Sequence, residues 1–112
     1  MNNLLEVSSD QRGEKLVITV AGELDVSTAP ILQRELDRAA EASPPSMRLD
    51  LSALRFMDST GLQLVLSTAT RAQEAGRELE LVRSTTSVQR VFQVAGLEER
   101  LRFVDPEPDG GA

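Results

Sequence analysis

No cysteine, histidine, tryptophan or tyrosine occurs among the 112 residues, and phenylalanine occurs only three times. Without thiolate or imidazole there is no disulfide framework, no Cys or His ligand for a structural zinc, and no Ser-His-Asp or Cys-His nucleophile pair. A carboxylate-only Mg²⁺ site is the metal chemistry that survives. Long apolar runs are missing too: none approaches the roughly 18–20 residues of a membrane-spanning helix. Met1 to Glu6 also lacks the basic segment and apolar stretch of a secretory leader. A cytoplasmic protein with no membrane partner is expected, and the lack of cysteine fits a reducing compartment. Positive charge is in short supply, with 12 Lys+Arg against 18 Asp+Glu and a net charge of -6. That balance argues against direct nucleic-acid binding, which needs a clustered excess of Lys and Arg.

What is present reads as one globular domain. A hydrophobic fraction of 40% with 27% charged residues is ordinary for such a domain. At this length folding buries roughly 65% of the extended-chain surface, enough for a core without staples. Lys15 to Gly22 is a β-branched run closed by glycine, suited to a central strand buried on both faces. Residues 4–8 pair with it as a hairpin if Asp10, Gln11, Arg12 and Gly13 form the turn.

Asp25, Ser27 and Thr28 precede Ala29 and Pro30, the order of a capping side chain and a first-turn proline. The helix they start carries Leu32, Leu36, Ala39 and Ala40 on one face and stops at Ser43 and Pro44. Met47 to Leu51 alternates into a second strand, and a helix between two strands favours parallel pairing. From Gly61 a second stripe of Leu62, Val65, Leu66 and Ala69 runs to Gly76, and Glu78 to Val82 is the next strand. Thr86 or Ser87 caps a last helix with Val88, Val91, Phe92 and Ala95 inward and Gly96 at its end. Leu101, Phe103 and Val104 suggest a short final strand. Pro106 to Ala112 has almost nothing to bury and is expected to be disordered, an acidic tail over 106–112. The acids Glu35, Asp37, Glu41, Glu98 and Glu99 read as solvated faces.

The informative stretch is Leu49 to Leu66, where a strand runs through Ser52, Ala53, Leu54 and Arg55 into Phe56-Met57-Asp58-Ser59-Thr60-Gly61-Leu62. Hydroxyls here fall at a helix start, where unpaired N–H groups and the positive dipole end favour a phosphate. The same residues also serve a plainer purpose: Asp58 or Ser59 as N-cap, Gly61 for close strand–helix packing. Asp25 reads equally as a turn residue or as part of a binding surface. An enzyme or nucleotide site on Asp25, Asp50 and Asp58 is disfavoured, because neither a P-loop nor G-x-G-x-x-G is present and no His or Cys serves as base.

Gly22-Glu23-Leu24-Asp25, Leu49-Asp50-Leu51-Ser52 with Phe56-Met57-Asp58-Ser59-Thr60-Gly61, and Val91-Phe92 with Gly96-Leu97 together resemble the anti-sigma factor antagonists. These are single STAS domains of bacterial partner-switching systems, found in stress response and sporulation. The resemblance spans nearly the whole chain, 1–105. It implies an α/β STAS fold, a mixed, mostly parallel β-sheet of four to five strands with helices packed mainly on one face.

The resemblance also implies a switch without catalytic residues, metal or cofactor of its own. Ser59 falls on the serine phosphorylated by the anti-sigma factor, itself a serine kinase that holds the ATP and Mg²⁺. Thr60 matches the adjacent hydroxyl and is the alternative acceptor, since many members have a second serine there. Asp58 and Gly61 frame the loop, and Asp25 lies at a nearby acidic position, so Asp25, Asp58, Ser59, Thr60 and Gly61 form the implied partner-binding set. The unphosphorylated form binds the kinase and frees the sigma factor, phosphorylation releases it, and a serine phosphatase resets it. A free monomer is expected. The alternative is a STAS scaffold module docking to a sensor or transporter with no sigma factor involved.

Overall fold

The computed structural model describes residues 4–107. β1 (Leu5–Arg12) and β2 (Lys15–Leu24) form a hairpin. They are followed by α1 (Ala29–Ala42), β3 (Ser46–Met57), α2 (Ser59–Glu74), β4 (Glu78–Val82), α3 (Thr86–Val94) and β5 (Phe103–Val104). The five strands form one sheet in chain order, with β1 antiparallel to β2 and every other neighbouring pair parallel. The expected mixed, mostly parallel STAS-type sheet is therefore present. Each parallel crossover steps the same way across the sheet, and right-handed crossovers stepping one way put their helices on one face.

Under the helices, Ile18, Val20, Leu49, Leu51 and Leu81 meet Leu32 and Leu36 of α1, Val65 of α2, and Val88 and Phe92 of α3 in one buried cluster. The opposite face is charged. There Glu80 accepts hydrogen bonds from Lys15 Nζ at 2.8 Å and Arg48 Nε at 2.6 Å, across three adjacent strands. Its side chain is only 11% exposed. Burial alone would raise the Glu80 carboxyl, but the bonds from Lys15 and Arg48 outweigh it and hold the group below the usual carboxylate range.

Several boundaries differ from the expectation. Asp10, Gln11 and Arg12 are strand residues rather than the turn, which is Gly13 and Glu14, with Gly13 at φ +61°. That end of β1 is exposed, so polar side chains occupy strand positions there. β3 continues to Met57 and α2 begins at Ser59 instead of Gly61. The buried face of α2 includes Leu64, Val65, Thr68 and Ala72, while Leu62, Leu66 and Ala69 are only partly buried. Ala95 lies exposed beyond the end of α3. Glu98, expected on a solvated face, instead accepts from Arg83, Gln89 and Gln93. Of the C-terminal tail, Pro106 and Glu107 are exposed, with Glu107 Oε1 3.8 Å from Arg48 Nη1. Residues 108–112 lie outside the described residues.

Candidate functional site

The ends of β2 and β3 bring two loops side by side. Leu24 pairs with Met57 in the last register of the parallel ladder, and the Asp58 N–H donates to Leu24 O at 3.2 Å. Asp25 and Asp58 each follow a paired residue on neighbouring strands, which run about 4.8 Å apart.

Asp25 is occupied structurally. Its Oδ1 accepts from Ser27 N at 2.9 Å, Ser27 Oγ at 2.7 Å and Thr28 N at 3.1 Å, closing a turn before α1. The Ser27 hydroxyl, followed by the Thr28 and Ser27 amides, outweighs desolvation and holds the Asp25 carboxyl below its ordinary value. The buried Thr28 donates from Oγ1 to Glu23 O at 2.8 Å. Thr28 is the N-cap of α1 but makes no side-chain cap bond, so Asp25 does the anchoring that the sequence shared among three residues.

Asp58 is the N-cap of α2, its Oδ1 accepting from Gly61 N at 3.1 Å while its carbonyl accepts from Leu62 N at 3.0 Å. The two amides between, those of Ser59 and Thr60, have no bond among the described residues. Ser59 is exposed and its Oγ likewise makes none. A serine at the first turn with free neighbouring amides is a site where a phosphate gains hydrogen bonds and the helix dipole without rearrangement.

Gly61 sits differently. It is buried, and an added Cβ would meet Met57 Cγ at 2.7 Å and Leu24 Cγ at 2.8 Å. Its hydrogen side chain lets α2 lie against the ends of β2 and β3, so it serves packing beneath the site while Ser59 and Thr60 face outward. Thr60 borders a groove of about 510 Å³ between α1 and α2, with Val26, Pro30 and Leu64 along its walls and no charged residue in its lining. Val26 is 71% exposed and Phe56 47% exposed. Sequence reasoning missed both. The available signal was an aliphatic residue in a polar loop, and a Phe beside the Leu54–Met57 positions that face the core.

Asp50 is not part of this constellation. It lies eight residues before Asp58, roughly 26 Å at strand rise, where its Oδ1 accepts from Ser52 N and Oγ on the charged face. No group of three or more Asp or Glu among the described residues could hold a metal ion. No described helix is long and apolar enough to cross a membrane.

The sheet thus carries its helices on one face and presents the exposed Ser59 with the exposed Val26 and Phe56 near the ends of β2 and β3. A family model described as Mlab, STAS domain, matches residues 7–105, and the chain belongs to that family. It is 29% identical over 107 residues to the anti-sigma-B factor antagonist of Bacillus subtilis (strain 168), covering 96% of each chain. An anti-sigma factor antagonist from Mycobacterium paratuberculosis superposes with TM-score 0.84 at 26% identity, over 94% of this chain and 88% of that one. The anti-sigma factor antagonist SpoIIAA in its unphosphorylated form shares the fold, with TM-score 0.77 at 23% identity over 95% and 92%.

Proposed function

We propose that this STAS protein is an anti-sigma factor antagonist that acts as a phosphorylation switch. Unphosphorylated, it binds an anti-sigma factor serine kinase and frees the sigma factor. The kinase, carrying ATP and Mg²⁺, phosphorylates Ser59 and so releases it, and a serine phosphatase restores the binding form. The chain is a regulator, not an enzyme. The observation that carries the reading is the exposed Ser59 hydroxyl, unbonded among the described residues, at the first turn of α2 and adjoining Asp58, in a chain similar to an anti-sigma-B factor antagonist.

The mechanism is electrostatic and steric. Phosphate adds about -1.5 to -2 charges beside Asp58. Against one partner carboxylate at about 4 Å and an effective dielectric near 20, a unit pair amounts to roughly 4 kcal/mol. Losing even 2–3 kcal/mol weakens binding about 30- to 150-fold. Val26 and Phe56 supply apolar area around the charge-sensitive centre, the arrangement in which a local charge matters most.

The test is phosphorylation of the whole chain by its cognate kinase, with peptide mapping. One phosphate at Ser59, lost in Ser59→Ala with that variant remaining bound to the kinase, is expected. Label persisting on Ser59→Ala at Thr60 overturns the choice of acceptor. A pull-down that returns a sensor or transporter and no anti-sigma factor overturns the switch in favour of a scaffold.

A further inference from the structure

A second surface lies at the far end of α2, about 21 Å from Ser59 by helix rise over the fourteen residues to Gln73. There the end of α2, the start of β4 and the segment before β5 enclose a cavity of about 240 Å³. Leu79, Leu81 and Leu101 line it, and Arg77, Arg100 and Arg102 stand around it, with no Asp or Glu in the lining.

The pairing of cations makes this patch unusual. Seven of the twelve Lys and Arg side chains have a carboxylate oxygen within 4.0 Å. Among the described residues Arg34, Arg77, Arg90, Arg100 and Arg102 have none, and three of those five border this one cavity. Arg102 also borders the smaller cleft that holds Glu78 and Glu80, yet comes within 4.0 Å of neither. In a chain of net charge -6, carboxylates are abundant, yet among the described residues these three guanidinium groups have none within 4.0 Å.

We infer that this cavity docks an acidic peptide segment of a partner protein, an aliphatic side chain filling the slot and flanking carboxylates meeting the arginines. The volume exceeds the roughly 150 Å³ that accepts a benzene ring, so one leucine-sized side chain fits. Three arginines call for more than the single charge of a small monocarboxylate, and each guanidinium matches a carboxylate in bidentate geometry. An apolar anchor ringed by charges is also how interfaces combine burial with orientation. The surface shares no residue with the Ser59 loop, so a partner seated here stays bound in either phosphorylation state.

The probe is acetyl-Glu-Leu-Glu-Leu-Glu-amide titrated into the ¹⁵N-labelled full chain, followed by amide shifts. Saturable shifts at Arg77, Leu79 and Leu101 are expected, about tenfold weaker in affinity for Arg100→Gln/Arg102→Gln. Arg34→Gln/Arg90→Gln carries the same loss of charge elsewhere and is expected to bind as wild type. Equal binding of the analogue with Gln in place of Glu, equal binding by Arg100→Gln/Arg102→Gln, tighter binding of hexanoate than of the peptide, or no saturation by ~10 mM each overturns the proposal. Labelling of Ser59 by the kinase is unchanged in all these variants, so a failure here is distinct from a failure of the switch.

Discussion

Ser59 is defined by what leaves it free. Asp58 takes the Gly61 and Leu62 amides, so the helix start is capped without spending the Ser59 hydroxyl or the two amides beside it. An aspartate at this position only partly imitates the phosphoprotein, because it brings one charge and two oxygens against nearly two charges and three oxygens. Ser59→Asp is expected to bind the anti-sigma partner more weakly than wild type and more tightly than the phosphoprotein. Raising salt from 0.1 M to 1 M shortens the Debye length from about 10 Å to about 3 Å. If long-range repulsion acts, the Asp variant recovers part of its affinity; if the phosphate excludes the partner sterically, it recovers almost none. Equal affinities of wild type, Ser59→Asp and phosphoprotein in calorimetric titration leave no switch.

At this scale the sequence was readable where chemistry and spacing coincide. Asp58-Ser59-Thr60-Gly61 marks a helix start on any reading, and the structure caps it with Asp58. What escaped was which residue serves which purpose. Nothing in the sequence separates an Asp25 whose carboxylate is spent on Ser27 and Thr28 from one held out for a partner. Nor does a glycine declare whether its missing side chain faces a partner or, as at Gly61, Leu24 and Met57.

At the scale of elements, two glycines set how closely neighbours approach. Gly22 has φ +111°, and a Cβ there would lie 2.1 Å from Leu4 O, the same carbonyl that accepts from Glu23 N at 2.7 Å. Backbone blocks that position, whereas the movable side chains of Leu24 and Met57 crowd Gly61. Gly22→Ala is therefore expected to cost more than about 3 kcal/mol and Gly61→Ala about 1–3 kcal/mol. Urea midpoints measure both, and the reverse order of cost sinks the distinction. Measured on the same samples, Gly61→Ala loses kinase affinity only in proportion to the folded fraction, as a packing residue beneath the site must.

The β3 boundary shows why element ends were harder to read than elements. Thr19 and Ala21 of β2 pair with Asp50 and Ala53, and Gly22 and Glu23 with Leu54 and Phe56, so β3 carries an extra residue at each of two irregularities. Leu51, Leu54 and Met57 all reach the core at a spacing of three. A search for alternation with period two stops at Leu51, and the following hydroxyl and charged residues then look like loop. The helices, whose period survives intact, were found with their faces nearly right. On α2 the deeper face turned toward Leu64 and Thr68, the latter hiding its hydroxyl by donating to Leu64 O at 2.7 Å.

For the whole molecule, the missing histidine shapes the response to pH. No side chain has its ordinary pKa between about 5 and 8, so stability is expected to be flat from pH 6 to 8. Glu80, Asp25 and Glu98 are each held below the ordinary carboxylate value in the folded state. A lowered folded pKa means that the unfolded chain binds protons first on acidification. The stability these groups contribute is present above about pH 4.3 and is lost as pH falls through the lower folded values. Thermal melts from pH 7 to pH 3 should show that decline. Glu80→Gln should lower stability at pH 7 by about 1–2 kcal/mol, between an exposed and a fully buried ion pair, and should soften the acid limb. A melting temperature that rises between pH 5 and pH 3 contradicts this account.

The strand order has a consequence for how the chain comes into being. Because the sheet is laid down in the order of synthesis, each strand leaving the ribosome finds its neighbour already waiting at the growing edge. No strand is inserted between two earlier ones, and no early strand waits for a distant partner, the step that slows folds rich in non-local pairing. The open edge moves across the sheet as the chain lengthens, always available to a wrong partner until the next crossover covers it. It comes to rest at β5, two residues long, which offers an intruding strand almost nothing to extend. The shortness of that last strand thus protects the β5 side of the finished sheet, and an arrest of synthesis after β3 leaves its twelve residues, the longest strand, as the edge on that side.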